Sequence, residues 1–275
     1  MQKSRERSLL FLHWREGMKV IKHTFPEHPE LAILPLADWH IGDPNADGKR
    51  MLEWLDYLKN NPNAYALLNG DLMDAAIKTS IGDVYQASIQ PMEQLKQCVK
   101  LFEPVKDKIL AVTDGNHERR ISRNDNISLT EIMCQQLGIG DLYCPTAVLL
   151  FIRVGQMSSF KHKLPACYTI YCSHGAGGGG RTAGGKINRL VDMAAIVDAD
   201  IYIMSHVHQP AVVRTAYYRV SASNSSVQKV DKLFINTSAA LNYGGYGELA
   251  LYRPASTQTP LLFLNGRRKE ATATL

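Results

Sequence analysis

Apolar runs that stop abruptly at polar residues recur along this chain. Leu31-Ala32-Ile33-Leu34-Pro35-Leu36-Ala37 ends in Asp38-Trp39-His40, Tyr65-Ala66-Leu67-Leu68 ends in Asn69-Gly70-Asp71, and Ile109-Leu110-Ala111-Val112 ends in Thr113-Asp114-Gly115-Asn116-His117-Glu118. Short aliphatic runs bounded by turn formers read as buried strands. Between them, Met51, Leu52, Leu55 and Leu58 fall at helical spacing over 48–60, a second helical stretch lies near 91–103, and Ser128 to Leu137 reads as a helix capped by Gly138. Strands alternating with helices predict a layered α/β sheet, whose chemistry sits at the carboxyl ends of the strands.

The pattern changes after about residue 142. Ala147-Val148-Leu149-Leu150-Phe151-Ile152 and Tyr168-Thr169-Ile170-Tyr171-Cys172 flank a Lys161-His162-Lys163 tip with no helical pattern between, which predicts an antiparallel hairpin. Its second strand ends at Ser173-His174. A glycine-rich loop over 175–186 and a helix near 187–197 lead into Ala199-Asp200-Ile201-Tyr202-Ile203-Met204, which ends at Ser205-His206-Val207-His208. Residues 211–263 carry further β-rich segments, and Arg267-Arg268-Lys269-Glu270 reads as a solvated tail. With no repeat or linker in between, the organisation is an N-terminal extension over 1–17, one domain over 18–266 and a C-terminal tail over 267–275.

Composition narrows the setting without naming a function. The 275 residues are 45% hydrophobic and 21% charged, an ordinary globular balance with ample material for a core. Lys plus Arg number 31 against 26 for Asp plus Glu, and this net +5 leans toward anionic partners but is too small to mark a nucleic-acid binder. The five cysteines are odd in number and lack CxxC spacing, which argues against a disulfide framework and a thiolate zinc knot and for reduced, buried thiols. Leu9-Leu10-Phe11-Leu12 is too short for a secretory core, and no stretch is apolar enough to span a membrane, so a cytoplasmic location is expected.

Five strand ends thus carry Asp38 and His40, Asp71, Asn116 and His117, His174, and His206 and His208. Side chains two apart on an extended segment point the same way, so Asp38 with His40, and His206 with His208, are each expected to reach one centre. Carboxylate, imidazole and amide oxygen suit Mn, Fe or Zn. The seven candidate ligands Asp38, His40, Asp71, Asn116, His174, His206 and His208 fit two ions sharing a carboxylate, an arrangement that clamps phosphoryl oxygens when the ions lie about 3.5–4 Å apart. Any one of these residues alone would read as an ordinary surface or hydrogen-bonded group.

Asp-x-His at 38–40, Gly-Asp at 70–71, Gly-Asn-His-Glu at 115–118, His174 and His-x-His at 206–208 resemble, in order, the signature of the calcineurin-like metallophosphoesterases. The resemblance covers about residues 31–210, and the general run of the chain is similar to members carried by bacteriophages and prophages. It implies a four-layered α/β/β/α sandwich with mixed sheets and two divalent ions, manganese first, with Fe, Zn, Ni or Co as alternatives. It puts Asp38, His40 and His208 on the first ion, Asn116, His174 and His206 on the second, and Asp71 between them. It further implies that a metal-bridging hydroxide attacks phosphorus directly, while His117 stabilises the transition state or protonates the leaving oxygen. Asp114 and Glu118 would orient imidazoles or cap the turn. Ser205 stands where the family usually has Gly, a change without consequence unless the backbone there needs a positive φ. The absence of Arg-Gly after Gly70-Asp71 weakens a protein-phosphatase reading, and the His-x-His ending is more like nucleases and phosphodiesterases.

Substrate contacts follow from charge and position. Arg181, Lys186 and Arg189 follow His174, Arg119 and Arg120 follow His117, and guanidinium groups are good phosphate partners. The segment 77–90 has the makings of a lid, with Tyr85 placed to stack on a base or an aryl ester. The expected activity is hydrolysis of phosphodiesters, DNA or RNA or nucleotide-like, away from membranes. The competing readings are a phosphomonoesterase or protein phosphatase, and a nucleic-acid-binding scaffold with a weak site. Relative turnover of a diester and a monoester separates the first pair; DNA affinity that survives His117→Ala without any hydrolysis would mark the scaffold.

Overall fold

The computed structural model describes residues 18–78, 80, 87–157, 164–177, 182–249, 251, 253–254 and 256–275. Residues 1–17, Tyr85 with half of the expected lid, the Lys161-His162-Lys163 tip and Arg181 lie outside the described residues.

The aliphatic runs form the expected strands. β1 (Lys19–Phe25) and β2 (Glu30–Leu36) are followed by α1 (Gly48–Asn60), β3 (Ala64–Asn69), α2 (Pro91–Phe102) and β4 (Ile109–Thr113). Asp47 caps α1 by accepting from the Arg50 N–H at 3.1 Å, and Pro91 opens α2 where a missing N–H costs nothing. α1 buries Met51, Trp54, Leu55 and Leu58, whereas Leu52 faces solvent. Next come α3 (Asn116–Asp125), α4 (Leu129–Gln136), β5 (Tyr143–Cys144) and the antiparallel pair β6 (Ala147–Val154) and β7 (Ala166–Ser173). α3 was not legible in the pattern because Ile121 and Glu118 are its only buried residues. α5 (Ala183–Asp192) begins four residues ahead of the expected helix start. The chain closes with β8 (Ile201–Met204), β9 (Ala211–Ser221), β10 (Ser226–Asn236), the short α6 (Gly245–Leu249), β11 (Leu261–Asn265) and β12 (Ala271–Thr274).

Among the described residues the strands form two six-stranded mixed sheets, ordered β1-β6-β7-β8-β10-β9 and β12-β11-β2-β3-β4-β5. Ile33, Leu67, Leu110, Leu150, Ile170, Ile203 and Ile235 pack between them. α1, α2 and α4 cover the outer face of the second sheet, and α5 that of the first, which makes the four layers α/β/β/α. Residues 271–274, expected to be a free tail, pair antiparallel with β11; Arg267 to Glu270 are the exposed turn between the two strands. β2-β3-β4 run parallel, as do β7-β8, so both sheets end their parallel strands on one side of the sandwich.

Candidate metal centre

Asp38 and His40 follow β2, Asp71 follows β3, Asn116 and His117 open α3 after β4, His174 follows β7, and His206 and His208 follow β8. The two sheets bring these residues into three contiguous groups, Asp38/His40/His208, His40/Asp71/His117 and Asp71/His174/His206, with ligand-type atoms within 4.8 Å of one another in each. His40 and Asp71 link the groups into one centre. The two histidines of His-x-His do not share a group, contrary to what an extended segment would give. His206 and His208 have φ of 70° and 50°, and Asp38, His40 and Asp71 have φ of 54°, 45° and 50°. Five of the seven candidate ligands therefore occupy the left-handed region, which costs a non-glycine residue roughly 1–3 kcal/mol and persists only where surrounding structure enforces it. Ser205 has no positive φ, so the place where the resemblance has Gly tolerates a side chain; its hydroxyl accepts from Asn69 Nδ2 at 2.6 Å.

Each central carboxylate is held by one oxygen and open at the other. Asp38 Oδ2 accepts from the His206 N–H at 3.1 Å, and Asp71 Oδ1 accepts from the His117 N–H at 2.8 Å. The opposite oxygens face imidazoles: His208 Nε2 lies 3.3 Å from Asp38 Oδ1, and His174 Nε2 lies 3.1 Å from Asp71 Oδ2 and 3.2 Å from Asn116 Oδ1. His174 Nδ1 donates to the Asn69 carbonyl at 2.7 Å, so in the neutral ring the lone pair is on Nε2, the nitrogen turned to the centre. His40 Nε2 and His208 Nε2 approach to 3.3 Å. Asp38 Oδ1 is buried without a hydrogen-bond partner among the described residues. Carboxylate, imidazole and amide oxygen converge in one buried space, and this donor set fits divalent ions.

The protonation equilibria reflect that crowding. Burial alone would depress His174, but the Asp71 and Asp38 carboxylates and the Asn69 carbonyl outweigh it and lift the imidazole to about 9. Asp71 is held well below the usual carboxylate range because His174 outweighs burial. Burial, with the neighbouring His117, pushes His40 well below its ordinary value. His117 is raised: burial opposes, yet the hydrogen bond to Asp74 and the charge of Asp71 prevail.

Several supporting residues were not legible from the sequence. Asp74 accepts from His117 Nδ1 through its carbonyl at 2.8 Å, with its carboxylate at 3.1 Å, and leaves His117 Nε2 facing Asp71 Oδ2 at 3.9 Å. Asn69 ties both sheets together, donating to the Ser173 carbonyl and accepting from Thr113 Oγ1 and Cys172 Sγ. Of the two roles expected of it, Glu118 takes the capping one and orients no imidazole among the described residues. Its buried carboxylate accepts from the backbone N–H groups of Asp71, Met73 and Gly115, at 3.0, 2.9 and 3.0 Å. Burial and the charges of Asp71 and Asp114 push Glu118 up to about 7 despite these donors. The clamp draws Gly115 so close to Asp71 that a Cβ on Gly115 would overlap the Asp71 carboxylate, so only glycine fits. Asp114 likewise meets no imidazole; it accepts from Tyr143 Oη at 3.0 Å.

The expected substrate contacts are rearranged. Arg120, rather than Arg119, reaches His117: its Nη2 donates to His117 Nε2 at 3.0 Å. Arg119 Nη2 donates to the Asp114 carbonyl at 3.0 Å, and Arg119 lines a cavity beside His174. Lys186 donates to the Val207 carbonyl at 3.1 Å and so braces the loop between His206 and His208. Tyr85 and Arg181 lie outside the described residues.

Residues 32–210 match the protein family described as calcineurin-like phosphoesterase. No curated protein matches the chain significantly. Among solved structures the chain is similar to Vps29 of Entamoeba histolytica complexed with zinc, at 13% identity and a TM-score of 0.40, covering 89% of this chain and 98% of that one. It is also similar to a conserved uncharacterised protein, a predicted phosphoesterase of Streptococcus pneumoniae TIGR4, at 14% identity and a TM-score of 0.33, covering 89% and 97%.

Proposed function

This chain belongs to the calcineurin-like phosphoesterase family, hydrolases acting on phosphate esters, and on that premise we propose that it is a dimetal phosphodiesterase acting on nucleic acid or nucleotide-like diesters. The observation that carries the reading is the pair of ligand groups joined through His40 and Asp71, with His117 at their edge. Asp38, His40 and His208 would hold one divalent ion, Asn116, His174 and His206 the other, and Asp71 both, with manganese the first choice and Fe, Zn, Ni or Co the alternatives. Bound there, the ions supply charge neutralisation for the phosphoryl oxygens and lower the pKa of the attacking water.

The chain's own groups do the rest. With Nδ1 bonded to Asp74, His117 presents Nε2 toward the centre; once released by Arg120, Nε2 can take up a proton from solvent, which Asp74 and Asp71 favour, and deliver it to the leaving oxygen. Arg120 Nη2 caps Nε2. A phosphoryl oxygen is the stronger acceptor, so incoming substrate draws the guanidinium onto itself and uncovers His117. Support for a diester over a monoester comes from the His-x-His segment. Hydrolysis of bis-p-nitrophenyl phosphate, p-nitrophenyl phosphate and single-stranded DNA, with metal content assayed in parallel, tests the reading. Turnover of the diester with two ions bound supports it; two ions bound with no ester cleaved defeats it.

A further inference from the structure

A cavity of about 610 Å³ lies directly beside the centre, between the outer face of the first sheet and α5. Its wall includes Gly175, which follows His174, and Met204, two residues before His206, so it borders the His174/His206 group. The floor is apolar, made by Tyr171, Met193 and Met204, with Ile196 at the rim. Two guanidinium groups, Arg119 and Arg189, and one carboxylate, Asp192, also line it. The Nε of Arg119 is buried without a hydrogen-bond partner among the described residues. Arg189 is exposed, and its Nη1 donates to the carbonyl of Ala176 on the mouth of the cavity. The volume falls within the roughly 300–1,000 Å³ of small-molecule pockets, enough for a nucleoside.

A single scissile phosphate is served by the ions and by Arg120, which leaves this second pair of guanidinium groups unused. Cations over an apolar floor suit a flat, weakly polar body carrying its own anion. From this we infer that the cavity is a subsite for the retained nucleotide of a phosphodiester: the nucleoside on Tyr171, Met193 and Met204, and the next phosphate of the strand on Arg119 and Arg189. The inference rests on the phosphodiesterase reading and adds to it that the substrate is a polynucleotide bound on the His174 side, with the leaving group on the His117 side.

The test keeps the leaving group constant and changes only the retained group. The p-nitrophenyl esters compared are those of methyl phosphate, thymidine 5′-phosphate and thymidine 3′,5′-bisphosphate, with p-nitrophenol released from the 5′-phosphate in the latter two. The wild type is expected to prefer the bisphosphate ester over the methyl ester by at least about tenfold in kcat/KM, and Arg189→Ala to bring that ratio below about threefold. Ala176→Trp, which obstructs the mouth without removing a charge, is expected to lower the ratio as well. Calorimetric binding of thymidine 3′,5′-bisphosphate to metal-free protein gives a readout independent of turnover, with Arg189→Ala weakening it about tenfold. Equal kcat/KM for the methyl and bisphosphate esters, or a ratio and a binding constant untouched by Arg189→Ala, overturns the subsite. If no ester is cleaved but the bisphosphate still binds through Arg189, the subsite stands and the phosphodiesterase reading falls.

Discussion

The two sheets bring opposite electrostatics to the centre. The β2-β3-β4 end buries carboxylates: Asp38, Asp71, Asp114 and Glu118 are all at most 2% exposed. The β7-β8 end brings imidazoles, His174, His206 and His208, on loops whose flanking residues Ala176 and Gly177 are exposed. On the acidic side the loops are locked, with Glu118 accepting three backbone N–H groups and buried Gln94 accepting from the Ala75 N–H and donating to the Ile89 carbonyl. On the basic side the bracing among the described residues comes largely from across the sandwich: Asn69 holds Ser173, His174 and Ser205, Asp38 accepts from the His206 N–H, and Lys186 and Arg189 donate to Val207 and Ala176. The contrast teaches a division of labour. The acidic end fixes charge for the chemistry, and the imidazole end, which borders the cavity, is where substrate choice can be built.

The largest expected effect comes from removing the carboxylate that both ligand groups need. Asp71→Asn should lower diester turnover by about a thousandfold or more and the metal content below two ions; a variant retaining two ions and wild-type turnover would end the division. His117→Ala should cost about a hundredfold to ten-thousandfold in kcat while leaving metal content unchanged, and loss of metal instead would show that His117 belongs to the ligand set.

A third test turns on the meeting of the halves at His174. Metal binding must displace its proton, so apparent affinity for Mn²⁺ in metal-free protein should weaken by about tenfold for each pH unit below about 9. Isothermal titrations at pH 7 and pH 8 check this, and a flat dependence contradicts it. The smallest effect concerns stability on the acidic side alone. Burial raises Asp114 to about 6 from 3.8, despite the hydrogen bond from Tyr143. The folded state thus holds this proton more tightly than the unfolded chain, so the associated stability is fully present below 3.8 and lost as pH rises through about 6. The loss is about 3 kcal/mol. Asp114→Asn should flatten that part of the curve, so that denaturation midpoints of variant and wild type diverge between pH 4 and pH 7.

Much of the centre was legible because it is written in local terms. An aliphatic run that stops at Asp, Asn or His announces a buried strand and the residue type delivered at its end, and five such endings sufficed to name Asp38, His40, Asp71, Asn116, His117, His174, His206 and His208. Helix α3 escaped because its buried face consists of Ile121 and the carboxyl of Glu118, and a periodicity of apolar residues cannot register a buried acid.

The sequence by itself determined which donors stand at which strand ends, since hydrophobic burial alone sets where each run stops. Tertiary structure decided where those donors point. The left-handed backbone at Asp38, His40, Asp71, His206 and His208, which sends His206 and His208 to different groups, costs energy locally and is held by contacts across the fold, such as the Asp38 carboxylate on the His206 N–H and Glu118 on the Asp71 N–H. The same holds for Arg119 and Arg120, adjacent in the chain yet sent by the turn of a helix to the cavity and to His117. Such contacts join residues 47 to 168 positions apart, and no local pattern encodes them.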